Sequence, residues 1–447
     1  MSSTSSTPAT AVSAPGKVLL AGGYLVLDRA YTGLVFGLSA RIHVIVQDVD
    51  DASPQTGAPE IVVQSPQFRD ATWKYGFRLV EDLGGVQVTQ LQGDPSIPLS
   101  RNPFVETALA YALTYISTIL TAPLKPSKIT ILADNDYYSN TSTATLPSSP
   151  FTDFNVRLLD AHKTGLGSSA ALVTAFTGAL LSHYLPPSTY TLSSPSDRSK
   201  LHNLAQAAHC AAQGKVGSGF DVAAAVYGTC VYRRFSPSIL SSLGEASSPN
   251  FATRVKDVVD DTASQKWDTE ISKGGVTIPE GMALVMCDVD CGSQTVGMVK
   301  QVLSWRANEA EDAKKLWDDL QGCNDLLAER LTKGCKIELQ EAFVAIRALI
   351  RDMGMASGVP IEPEEQTELL NAVMRGVDGV VGGVVPGAGG YDAIVLLVKD
   401  DEATKAELEA FLKKWSEEKK GNVKLLTAKG ELEGARVEDA AAYGNFN

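Results

Sequence analysis

From Asn102-Pro103 onward, apolar residues recur three and four positions apart, with Phe104, Ala108, Tyr111, Tyr115 and Ile119 on one helical face. Asn before Pro suits the start of such a helix, since Asn caps free N–H groups and Pro fits the first turn. Leu172 to Leu185 reads as a second helix, Ala-rich, with Leu172, Phe176, Ala179 and Leu180 aligned. Shorter apolar runs read as strands: Lys17 to Leu20 and Leu25 to Leu27 around a Gly22-Gly23 turn, then Ser39 to Val49, Thr229 to Phe235 and Met282 to Val289. Beyond Thr295 the pattern turns helical over Met298 to Leu320, Glu338 to Met353, Glu364 to Arg375 and Glu402 to Trp415, interrupted by the strand-like Ala393 to Val398.

Three stretches rich in Ser, Thr and Pro punctuate these elements: Ser139 to Pro150, Pro186 to Ser196 and Ser236 to Asn250. They read as exposed loops, and the last marks a domain boundary. The chain has 447 residues, and at about 150 residues per domain that predicts two or three domains. The expected division is a disordered tail over 1–12, an N-terminal domain over 13–236, a linker or insertion over 237–280, and a C-terminal domain over 281–447. The mixture of helices and strands, without a solenoid repeat, predicts two α+β domains.

Composition narrows the function. Apolar stretches stop short of the roughly 18 to 20 residues of a membrane span, and Met1 to Pro8 has neither the basic nor the apolar region of a secretory signal. The expectation is a cytoplasmic protein whose six cysteines are reduced; Cys287 and Cys291 share a face on a strand, but no His completes a metal site. Asn140-Thr141-Ser142 then spells a glycosylation acceptor by chance. Lys and Arg number 39 against 52 Asp and Glu, a net charge of −13, which argues against nucleic acid or an anionic membrane as partner. No obligate protein partner is evident. A polyanionic ligand would need cations gathered locally.

The segment Lys163-Thr164-Gly165-Leu166-Gly167-Ser168-Ser169-Ala170-Ala171 supplies such a place. Glycines before a helix let the backbone approach a ligand, and first-turn N–H groups with the helix dipole favour an anion. A Gly-Ser helix start is common in itself. Gly165, Gly167 and Ala170 also fit a dinucleotide-binding fingerprint, but no Asp or Glu occurs between Ala170 and Ser196 to hold a ribose. The Gly-Lys-Ser/Thr loop of P-loop NTPases and the His-Arg-Asp and Asp-Phe-Gly motifs of protein kinases are both absent. Two further glycine-rich segments stand near the ends: Ser13 to Tyr24, where Pro15-Gly16 feeds Lys17 onto a strand, and Pro386-Gly387-Ala388-Gly389-Gly390-Tyr391-Asp392. Each alone is compatible with an ordinary turn.

Together, and in this order, the three segments resemble the motifs of the GHMP kinases. Ala14 to Asp28, Lys163 to Ala171, Gln213 to Ala225, Ser357 to Pro363 with Gln366-Thr367, and Gly382 to Ala393 resemble the phosphomevalonate kinases of the fungal type. The resemblance implies a two-domain GHMP kinase fold, with an N-terminal α+β ATP-binding domain and a C-terminal ferredoxin-like α+β domain. It implies transfer of the ATP γ-phosphoryl to phosphomevalonate, with ATP and Mg²⁺ as cofactors, in the cleft between the domains. Carried over by position, Lys17, Lys163 and Asp221 are the expected catalytic residues. Gly165, Leu166, Gly167, Ser168, Ser169 and Ala170 would hold the nucleotide phosphates. Lys17, Ser218, Ser293, Gly387, Ala388, Gly389 and Gly390 would face the substrate, and Ser168 or Asp221 the metal. Arg69, Lys74, Arg78 and Arg101 are candidates for the substrate carboxylate. Mevalonate kinase, diphosphomevalonate decarboxylase and a non-catalytic sensor of the same fold remain open alternatives.

Overall fold

A computed structural model describes residues 8–49, 59–92, 100–139, 149–289 and 295–446. Its spine is a pair of long antiparallel strands, Thr10–Ala21 and Gly33–Asp48. Both are buried along nearly their whole length, as the central strands of a covered sheet must be. Ser127–Ala133, Glu60–Gln64, Thr72–Val80 and Gly85–Leu91 extend the sheet in that spatial order, the first two pairing parallel. Helices Pro103–Ser117, Ser168–Tyr184, Pro195–Gln213 and Phe220–Tyr227 pack around the sheet and one another. The Asn102 side chain accepts a 3.3 Å hydrogen bond from the Val105 N–H, capping the first helix as the sequence predicts.

The second domain is built from Met282–Val289, Val380–Val384, Ala393–Lys399 and Val423–Glu431, with helices between the first two strands and between the last two. In chain rank their spatial order is 2-3-1-4, all antiparallel. That β-α-β-β-α-β order is the ferredoxin-like topology. The fourth strand joins the two domains: its start pairs with Met282–Val289, and Gly430 and Glu431 pair with Leu38 and Gly37.

Several elements differ from expectation for local reasons. The first strand begins at Thr10, with Ala11 and Val12 buried, so the packed chain starts inside the stretch read as a tail. Pro15-Gly16 makes a bulge in this strand instead of a turn before it. Leu25–Leu27 is a 3₁₀ turn, not a strand. The stretch 237–280 is not a free linker: helix Phe251–Val259 packs on the N-terminal helices, and Glu270–Ser272 pairs with Cys230–Arg233. Met298 to Leu320 falls in two helices, Thr295–Asn308 and Ala310–Lys333, broken at Glu309. The C-terminal end does not stay in the second domain; Arg436–Glu438 pairs with Ala11 to Ser13. Buried Arg41 anchors that return, donating to the Gly434 carbonyl at 2.5 Å and to Glu431 at 3.2 Å.

Candidate active site

The Pro15-Gly16 bulge re-aims the strand so that Lys17 points toward the helix start at Gly167. Gly16 is required there, because a Cβ would stand 2.8 Å from the Leu166 carbonyl. The Lys17 N–H donates to that same carbonyl at 2.9 Å, and its ammonium donates to the Gly165 carbonyl at 3.2 Å. The ammonium also lies 5.7 Å from the centre of the Phe220 ring. Gly167, at φ +82°, caps helix Ser168–Tyr184 in the left-handed conformation. A Cβ on Gly167 would meet Lys17 Cε at 2.9 Å, so this glycine makes room for the lysine stem. No side chain caps the helix, which leaves its first-turn N–H groups directed at the cleft.

A second helix start is placed alongside. Gly219, at φ +82°, caps Phe220–Tyr227, again without a side-chain cap, and Tyr232 Oη donates to the Ser218 carbonyl at 2.8 Å. The preceding loop is tied down by Arg234, whose guanidinium donates to the carbonyls of Leu27, Val216 and Gly217. The third glycine-rich segment closes the opposite wall. Gly387 N–H donates to Leu19 O at 3.2 Å, and Tyr24 Oη donates to Ala388 O at 2.7 Å. Gly23 permits this approach, since a Cβ there would lie 2.2 Å from Gly387 O. Behind the loop, Gly390 N–H donates to Ile361 O at 2.9 Å and Gln366 donates to Tyr391 O at 2.7 Å. The stretch 357–363 with Gln366 is therefore a brace for this loop.

The result is a cavity of about 370 Å³ between the two domains, lined by Lys17, Tyr24, Thr164, Gly165, Ser218, Phe220, Met286, Val299 and Pro386 to Gly389 among others. Among its described lining residues Lys17 is the sole basic side chain. Burial pushes the Lys17 ammonium below its usual range, and the negative charge of Asp221 opposes that. Asp221 is half-buried at the start of Phe220–Tyr227.

Lys163 is exposed and does not line this cavity. It lines a neighbouring cleft of about 80 Å³ with Ser168, Ser169 and the aromatic rings of Phe68, Trp73, Phe104 and Tyr138. The helix start thus faces two compartments, with Lys17 in one and Lys163 in the other. Leu166 and Ala170 are buried beneath it. Ser293 lies outside the described residues. Arg69 bonds Asn155, Arg78 bonds Gln87 and Arg101 pairs with Glu106; neither these arginines nor Lys74 line the cavity. Arg234 was not singled out from the sequence, because it acts through backbone carbonyls of distant segments; the stretch around Ile361 was, but only as part of a resemblance and without this bracing role.

Comparison with known proteins bears on the same residues. The GHMP kinases N terminal domain family matches residues 153–229, which include the helix start, Ser218 and Asp221. The chain is 55% identical over 443 residues to the phosphomevalonate kinase of Gibberella zeae, covering 98% of this chain and 99% of that one. It is 48% identical over 488 residues to that of Aspergillus fumigatus, covering 98% of each. Among solved structures, Streptococcus pneumoniae phosphomevalonate kinase in complex with phosphomevalonate and AMPPNP superposes with a TM-score of 0.61 at 17% identity, over 94% of this chain and 99% of that one. That likeness shows a shared fold.

Proposed function

The chain belongs to the phosphomevalonate kinase family, and we propose that it transfers the γ-phosphoryl of ATP to the phosphate of (R)-5-phosphomevalonate, giving 5-diphosphomevalonate and ADP in the mevalonate pathway. The observation that carries the reading is the convergence of three distant glycine-rich segments and Ser218 on one cavity around Lys17. The ATP phosphates sit at the start of Ser168–Tyr184, on the backbone from Gly165 to Ala170 with the Ser168 and Ser169 hydroxyls. The nucleotide approaches from the aromatic cleft, where Lys163 meets its phosphates. Phosphomevalonate enters the larger cavity against Ser218, the loop Gly387 to Gly390 and, in this proposal, Ser293.

The acceptor is a phosphate monoester with a second pKa of about 6, so it is already largely dianionic at pH 7. It needs no general base. The obstacle is bringing two polyanions together, which Lys17 and two uncapped helix starts offset. Asp221 then orients Lys17 and the reacting groups. Among the described residues no cluster of three or more His, Cys, Asp or Glu could hold a metal by itself. One hydroxyl and one carboxylate, Ser168 and Asp221, fit a Mg²⁺ that arrives on the ATP phosphates and takes one or two protein ligands. Bound there, the ion supplies charge neutralisation on the β- and γ-phosphates.

No described helix is long and apolar enough to cross a membrane, and we place the protein in the cytoplasm; enrichment in a peroxisomal fraction would overturn that placement. The activity is tested by ADP release from MgATP with phosphomevalonate, mevalonate, diphosphomevalonate, galactose and homoserine offered separately. Turnover confined to phosphomevalonate supports the reading. Preference for another acceptor refutes the substrate, and ATP binding without turnover on any of them points to a sensor.

A further inference from the structure

Three successive carbonyls in the loop before helix Phe220–Tyr227 are taken by donors from a single strand and its end. Arg234, one residue past strand Cys230–Arg233, donates from Nη2 to Val216 O at 3.2 Å and to Gly217 O at 2.7 Å. Tyr232 Oη donates to Ser218 O at 2.8 Å. Residues two apart along extended backbone share a face, so one edge presents both donors. Arg234 also donates from Nη1 to Leu27 O at 2.7 Å. Leu27 and Ser218 line the larger cavity, whereas Arg234 and Tyr232 do not. The guanidinium thus clamps two parts of the cavity wall from behind.

In a trans peptide the C=O and the N–H point in opposite directions. With the Gly217 and Ser218 carbonyls turned to Arg234 and Tyr232, the N–H groups of Ser218 and Gly219 are turned away from the clamp. Among the described residues neither amide meets a hydrogen-bond acceptor. Gly219, at φ +82°, then starts the helix without a side-chain cap, and a Cβ there would stand 2.8 Å from Tyr232 Oη. We propose that Arg234, assisted by Tyr232, is a positioning residue for the acceptor: by holding these carbonyls back it presents the Ser218 and Gly219 amides to the anionic phosphomevalonate. A planar fork of five donors suits carbonyls converging from two segments, which the point charge of a lysine matches only in part. The inference rests on the placement of phosphomevalonate against Ser218 given under Proposed function.

The test compares Arg234→Met, Arg234→Lys and Tyr232→Phe in steady-state ADP release, varying phosphomevalonate and MgATP separately, beside circular dichroism and melting temperature. Misplacing one amide that bonds a charged ligand predicts that Arg234→Met raises KM for phosphomevalonate about tenfold, with KM for MgATP within about twofold of the parent. Arg234→Lys keeps part of the carbonyl bonding and is expected to raise KM for phosphomevalonate only about threefold. Tyr232→Phe removes one neutral hydrogen bond and is expected to give a similar rise of about threefold for phosphomevalonate and none for MgATP.

A folded Arg234→Met variant whose KM for phosphomevalonate matches the parent's overturns the inference. So does an equal rise in both KM values, which a general loosening of the fold would give, or an Arg234→Lys variant no better than the Met variant. If Arg234→Met does not fold, Arg234→Lys and Tyr232→Phe decide by the same split between the two substrates. Failure of the parent enzyme to release ADP with phosphomevalonate would instead refute the functional reading.

Discussion

Replacing Lys17 with Met removes the sole basic side chain lining the described cavity while keeping a stem that fills the space beside Gly167 and Phe220. The fold should therefore survive. The magnitude follows from where the ammonium sits: half-buried, at the domain cleft, with burial strong enough to push it below its usual range. Two unit charges about 4 Å apart at an effective dielectric constant near 20 interact by about 4 kcal/mol. At 1.36 kcal/mol per tenfold, this predicts a loss of about a thousandfold in kcat. Coupled ADP-release assays at saturating MgATP measure it, with melting temperature as the control for folding. A Lys17→Met variant within tenfold of the parent kcat would refute the role. The pH dependence gives a second reading. Lys17 acts as the ammonium, so kcat/KM, which reports the free enzyme, falls as pH rises through a pKa that lies below the ordinary lysine value. Asp221 raises that pKa, so Asp221→Asn should move the alkaline fall to lower pH; an unmoved or higher limb would contradict the coupling.

Gly167→Ala puts a Cβ 2.9 Å from Lys17 Cε at a positive φ; left-handed strain of about 1–2 kcal/mol should lower the melting temperature by a few degrees, with a larger loss of kcat than of stability, read by calorimetry and turnover together. Glu362→Ala removes the carboxylate partner of Arg347, whose side chain is only 4% exposed, and a broken buried pair costs about 3–5 kcal/mol; denaturant unfolding should show it, and a loss under 1 kcal/mol would contradict the bracing role. His202, fully buried, has its pKa lowered by desolvation to about 4. Its neutral form therefore contributes stability above the unfolded value near 6.5, and this is lost as pH falls toward 4, about 3 kcal/mol in all. His202→Leu should flatten the stability curve over that window, and an unchanged slope would refute the assignment.

What the sequence made legible was whatever is local. The helix at Pro103 carries its own cap and the helix at Ser168 its own glycines, each with a helical periodicity, and both form where those signals stand. Lys17, Gly165 to Ser169 and Gly387 to Gly390 stood out in the sequence because close backbone approach favours glycine, here at Gly16, Gly165, Gly167, Gly387, Gly389 and Gly390. Long-range pairing was not legible. The Val423–Glu431 strand joins both sheets, and Arg436–Glu438 returns to the first strand, through registers that no local pattern encodes. Pro15-Gly16 has the composition of a turn but lies in a bulge, because Gly33–Asp48 holds the strand on either side of it. Nothing local in the sequence marks His209; only the packing of three helices brings Ser169 and Asp221 to its ring.

The central claim is that the cavity directs the γ-phosphoryl onto an acceptor phosphate, and phosphorus NMR of the reaction products tests it most directly. With MgATP and phosphomevalonate, the account predicts ADP and an acceptor carrying two mutually coupled phosphorus signals, those of a diphosphate ester. An acceptor with two uncoupled monoester signals would mean transfer to an alcohol, and inorganic phosphate alone would mean hydrolysis; either would contradict the account.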